Sequence, residues 1–243
     1  MFDLQTVPMA TNRLPHLTFA PMAWLKLQYF CHGGDTEIGG FGISAEDDLL
    51  YVEEFVTVRQ RVTPVTVRFE DEAVADFFDG CVDRGLPAER FARIWCHTHP
   101  AASVTPSHTD EETFERGFGR CNWAVMFILG RTGNTYARLA SRAGPEVQVE
   151  LSVAVDWAAW PECLSRPSEE LGKLSTQWLQ EHTAHVLRLS ESLAISARTS
   201  LAEDDTEVPW WEDHPWSSEL DAFTYVPVEE KIEHESDHRL PVP

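Results

Sequence analysis

The stretch that decides the reading of this chain is His97-Thr98-His99-Pro100-Ala101-Ala102-Ser103-Val104-Thr105-Pro106-Ser107-His108-Thr109-Asp110. The residues before it, Phe91 to His97, alternate in polarity and predict a strand. His97 and His99 are two apart at its end, so both imidazoles point to one face, and Pro100 bends the chain there. A helix is expected over Ser107 to Phe118, with Ser107 at the N-cap and Asp110 in the first turn. Ser107 and Asp110 could simply be a capping pair, and a lone His-x-His is a weak signal. Taken together, two imidazoles at a strand mouth and a carboxylate returning from a short loop make a His₂Asp ligand set. Such a set leaves one zinc position open for water, which is the catalytic rather than the structural arrangement and implies hydrolysis.

The pattern His97-x-His99-Pro100 followed by Ser107-x-x-Asp110 resembles the JAMM motif of the JAB/MPN metallopeptidases. The resemblance covers roughly Leu17 to Val155. It implies a mixed α/β fold, a JAB/MPN-like, cytidine-deaminase-like sheet flanked by helices. In that family a glutamate just after the first helix, at the start of a strand, activates water held at the zinc. Glu37 in Glu37-Ile38-Gly39-Gly40-Phe41-Gly42 occupies that place, with Asp35 as the neighbouring alternative. The family places its glycine after two apolar residues, whereas here Gly39 and Gly40 follow Ile38 directly. The implied site is therefore Zn²⁺ on His97, His99 and Asp110, with Glu37 and Ser107 as catalytic residues. Glu37 would take a proton from water and return it to the departing amine, because an amide anion is too poor a leaving group. Ser107 would help to steady the oxyanion.

The same resemblance implies a substrate: a peptide or isopeptide bond after the C-terminus of a ubiquitin-like protein, cut by a compact, prokaryotic-type isopeptidase. Two other classes stay open, a non-catalytic MPN-type scaffold and a zinc hydrolase of small peptides or of phage or cell-wall material. Glu181-His182-Thr183-Ala184-His185 has the wrong order for a zinc-protease helix and reads as surface histidines. His108 reads as exposed or adjacent to the site, Cys96 as core, and His214, His234 and His238 as solvated.

Working outward, Leu17 to Phe19 predicts a short strand, and Pro21 opens a helix to about Tyr29 that Gly33 and Gly34 end. Strands are expected at Ile38–Ser44, Leu50–Val58 and Val62–Phe69, the last two forming a hairpin whose Arg59, Arg61 and Arg68 face solvent or meet an acidic partner. Glu72–Val82 is an amphipathic helix. Trp123–Leu129, Thr135–Leu139 and Val147–Val155 are strands. A further helical element runs from Pro167 to Ser200, with Leu171, Leu174, Trp178, Val186, Leu189 and Leu193 as its apolar stripe.

These elements suggest a zinc hydrolase domain over residues 1–156, a helical extension over 157–202 and a tail over 203–243. Over 243 residues, 40 are acidic and 19 basic, a net charge of −21 that disfavours nucleic acid and anionic membranes. From Glu203 to Pro243 there are 13 acidic and 2 basic residues, together with Trp210, Trp211, Trp216, Phe223 and Tyr225. This acidic aromatic tail either packs on its own domain or awaits a protein partner. The five cysteines are scattered, so neither a disulfide scaffold nor a zinc ribbon is expected. The residues from Met1 to Ala10 lack a secretory pattern and no apolar run is long enough to span a bilayer, so a cytoplasmic location is expected.

Overall fold

A computed structural model describes residues 15–161 and 168–189 of the chain. It is mixed α/β. The elements are β1 (His16–Phe19), α1 (Pro21–His32), β2 (Ile38–Ser44), β3 (Tyr51–Val56), β4 (Gln60–Thr63), β5 (Thr66–Phe69), α2 (Asp71–Asp83), α3 (Ala88–Phe91), β6 (Ile94–His99), α4 (His108–Phe118), β7 (Trp123–Gly130), β8 (Thr135–Ser141), β9 (Val147–Glu150), β10 (Ser152–Val155), α5 (Ser168–His185) and β11 (Val186–Arg188). Eight strands form one sheet in the order β10-β1-β3-β2-β6-β7-β8-β9, and three form a second in the order β11-β4-β5.

The centre of the large sheet is β6, which pairs antiparallel with β2 and parallel with β7. All six of its residues are buried, which fits a strand covered on both faces. Ile94 and Cys96 join the core that α1 closes with Leu27, Phe30 and Cys31. Trp95 points the other way, 6.5 Å from the ring of Phe114 on α4 and 4.3 Å from that of His97. Strand alternation thus sends the histidines to the α4 side and Cys96 to the core.

Val147–Val155 behaves as one extended segment interrupted at Leu151. Its first half, β9, pairs with β8, and its second half, β10, pairs with β1, so it touches both edges of the large sheet. Leu151 is buried, and its N–H donates to the Ala137 carbonyl at 2.9 Å.

Three expectations need correction. Strands β3 and β4 do not form a hairpin: β3 pairs with β1 and β2, and the hairpin lies within Val62–Phe69 itself, where β4 turns into β5 at Pro64 and Val65. Two β-branched runs on either side of a Pro-containing turn read as one strand when only composition is considered. Phe91 belongs to the short helix α3, and the strand begins at Ile94. The last helix stops at His185, after which Val186–Arg188 is a strand parallel to β4, so Val186 and Leu189 leave the helical stripe. Leu193 and the expected continuation of that helix to Ser200, the tail from 203, Met1 to Ala10 and Cys163 lie outside the described residues. Among the described residues, no helix is long and apolar enough to cross a membrane.

Candidate metal centre

The geometry is built from α4 outward. Ser107 caps the helix: its hydroxyl oxygen accepts from the Asp110 N–H at 3.2 Å, and Asp110 Oδ2 accepts from the Ser107 N–H at 2.6 Å. The capping pair is real, and it leaves Asp110 facing the β6 histidines as well. Asp110 Oδ1 lies 3.4 Å from His97 Nε2, and Oδ2 lies 3.7 Å from His99 Nε2. One ligand atom from each of the three residues falls within 4.8 Å of the others, and all three residues are buried.

Glu37 reaches the same point from β2. Its Oε1 is 3.7 Å from His99 Nε2, and its side chain is buried. The Glu37 N–H donates to the Thr63 carbonyl at 2.9 Å, and the next N–H, that of Ile38, donates to Thr98 Oγ1 at 3.1 Å. Those two bonds fix the start of β2 against both the small sheet and the His-bearing strand. Asp35 is elsewhere: it is exposed and paired with Arg188 at 2.6 Å. Ser107 is exposed at the end of α4, and His108 is exposed beside Glu112 at 3.3 Å.

The electrostatics are those of a crowded, buried site. Burial pushes the Glu37 carboxyl up to about 8, with His99 opposing the shift and Asp110 adding to it. Burial holds His97 below the ordinary histidine value against the pull of Asp110. For His99 burial also lowers, but the Asp110 contact, the Glu37 charge and the Ser103 carbonyl outweigh it and leave the ring above its usual value. Burial raises Asp110, yet its contacts with both histidines and the Ser107 N–H carry it well below the usual carboxylate range.

These residues fit a cation. Glu37 Oε2, both ring nitrogens of His97 and His99 Nε2 are buried without a hydrogen-bond partner. Each such orphan costs roughly 1–3 kcal/mol unless another group satisfies it. His99 Nδ1 sits 2.9 Å from the Ser103 carbonyl, so Nδ1 carries the proton and the Nε2 lone pair faces Asp110, the tautomer a ligating histidine needs. Tetrahedral zinc spaces its nitrogen and oxygen ligands about 3.3 Å apart, close to the 3.4 and 3.7 Å observed.

The site also uses residues that the motif alone does not single out. Trp95 stacks on His97, Ser103 orients His99, and Thr98 ties β6 to Ile38, the residue after Glu37. The signals were present as the residue two before His97 on the same face and as the hydroxyl between the histidines. Glu181-His182-Thr183-Ala184-His185 is not a solvated surface. Glu181 Oε2 pairs with the buried Lys26 at 2.7 Å, and Oε1 accepts from Thr57 Oγ1 at 2.8 Å. His182 stacks on Phe30, and His185 Nδ1 lies 3.0 Å from Thr57 Oγ1. These residues fasten α5 to the domain. Against known proteins, no family model matches the chain, and no curated protein matches it significantly.

Proposed function

We propose that the chain is a zinc-dependent hydrolase of the JAMM type, with a JAB/MPN-like fold, cutting a peptide or isopeptide bond after the C-terminus of a ubiquitin-like protein. The observation that carries this reading is the convergence of four buried side chains, His97, His99, Asp110 and Glu37, among which Glu37 Oε2, both ring nitrogens of His97 and His99 Nε2 have no hydrogen-bond partner. A scaffold has no use for that cost, whereas a hydrolase needs both a ligand triad and a separate carboxylate.

His97, His99 and Asp110 would hold the zinc. The ion, when bound, supplies Lewis acidity, making water a stronger acid and a carbonyl carbon a stronger electrophile. The chain's own groups do the rest. Glu37 is the proton carrier: its carboxylate accepts the proton that the attacking water loses and delivers it to the nitrogen of the departing amine. A buried carboxyl poised near neutral pH can do both, because neither form is strongly preferred. The Ser107 hydroxyl already accepts from the Asp110 N–H, so its own proton is free to donate to a developing oxyanion. Water and amine are the only exchanging partners, and no covalent intermediate is required.

Elemental analysis of the purified full chain tests the metal. About one zinc per chain is expected, with a clear loss in Asp110→Asn, which keeps the shape but removes the charge. Cleavage of a fusion placed after a ubiquitin-like C-terminus, lost in Glu37→Gln while zinc is retained, tests the activity. A chain that cannot be loaded with zinc overturns the reading.

A further inference from the structure

The three-stranded sheet presents a face that the hydrolytic reading does not use. In its register Arg61 stands directly opposite Arg68, and Leu187 stands opposite Arg61 on the other side. One row across the sheet therefore reads Leu187, Arg61, Arg68. Like charges directly opposed across antiparallel strands are destabilising, and both guanidinium groups are exposed. In a chain with 40 acidic and 19 basic residues, this pairing is not what the surrounding composition supplies.

Local carboxylates neutralise only part of it. Glu70 lies 3.6 Å from Arg59 Nε and 3.6 Å from Arg61 Nε, and Glu72 lies 3.5 Å from Arg59 Nη2. Among the described residues, Arg68 makes no ion pair. A cleft of about 200 Å³ opens here, lined by Arg61, Arg68, Phe69, Glu70 and Asp71. Apolar surface accompanies the charge: Leu187 is 54% exposed, and Val65, at the hairpin tip, 55%.

The face shares strand β4 with the backbone that holds Glu37. Strand β4 ends at Thr63, whose carbonyl accepts from the Glu37 N–H. Arg61 is two residues back, about 7 Å along the strand at some 3.3 Å per residue.

We propose that the Arg61–Arg68 face docks an acidic, extended segment of the substrate protein, with carboxylates a few residues from the bond to be cut. Carboxylates bridging Arg61 and Arg68 relieve their mutual repulsion, and an apolar side chain on the far side of Arg61 covers Leu187. The proposal rests on the hydrolytic reading only for calling that partner a substrate. Its test therefore reads binding and needs no turnover.

Fluorescein-labelled decaglutamate is titrated into the full-length protein and followed by polarisation, beside a Gly-Ser decamer and a ten-nucleotide oligothymidine. Measurable binding of decaglutamate, weakening with added salt, is expected despite the overall negative charge. In R61E/R68E the affinity should fall at least about tenfold, while R61K/R68K should stay within about threefold and zinc content should match the parent in both. Absence of decaglutamate binding, equal affinity in R61E/R68E, or tighter binding of oligothymidine each overturns the proposal. Loss of zinc or of cleavage with decaglutamate binding intact would instead count against the hydrolytic reading and leave the docking face standing.

Discussion

Glu37 and Asp35 are two positions apart and have opposite fates. Asp35 is held by Arg188 in solvent, whereas Glu37 is buried against His99. Burial gives Glu37 a measurable signature in metal-free protein. Its carboxyl titrates near 4.5 when unfolded and near 8 when folded, so the folded state binds the extra proton between those values. Stability must then fall as pH rises through that window. Glu37→Gln lacks this dependence. In chelator, urea unfolding of the parent relative to Glu37→Gln should lose up to about 5 kcal/mol between the two limits. A parallel pH dependence in the two proteins would place Glu37 in solvent. The buried His97, His99 and Asp110 cluster was legible in the sequence because its placement is local: a strand period of two for the histidines and a cap for Asp110. Glu37 could be assigned only by resemblance, because its place beside His99 depends on Ile38 meeting Thr98 sixty residues away. No local periodicity carries that contact.

At the level of elements, β2 explains its own glycines. A Cβ on Gly39 would stand 2.9 Å from Val67 Cγ1 and from the Phe69 ring, because the β4–β5 hairpin lies against β2 at that point. Gln60 completes the contact by donating to the Gly39 carbonyl and accepting from its N–H, both at 2.8 Å. On the opposite face a Cβ on Gly40 would overlap the Val56 carbonyl and the Phe55 ring. Gly40→Ala should therefore force β2 and β3 apart, costing about 2–4 kcal/mol in urea unfolding. Since Gly39 pairs with His97 and Gly40 with Cys96, the same change should weaken zinc retention on dialysis. Unchanged stability would mean that β2 has room to spare. The glycines were visible as a departure from the family pattern, but their cause was not. Composition alone sets the hairpin one strand too early, and a sheet that lies over another sheet leaves no trace in strand period. The end of α5 was missed for a similar reason: Val186 continues an apolar stripe whether it packs in a helix or pairs with β4.

For the whole molecule, the attachment of α5 is the most exposed dependency. Glu181 joins α1 through Lys26 to the segment after β3 through Thr57, so one carboxylate holds three parts of the chain. Glu181→Ala strands the buried Lys26 without its counter-charge and should cost about 3–5 kcal/mol of unfolding free energy in urea. Zinc stoichiometry should not change, since none of these groups touches His97 or His99. Loss of metal in that variant would show that α5 supports the centre itself. The mixed α/β class was readable from alternating periods, and the order of strands was not, because pairing partners are remote. Most remote of all is the pairing of His16 with Ser152. During synthesis β1 emerges early and can meet β3, but its second neighbour is made only after the histidines, α4 and β7–β9 have all left the ribosome. Every nascent intermediate up to that point carries two unmatched strand borders, and the segment that seals them both is the last part of the large sheet to be translated.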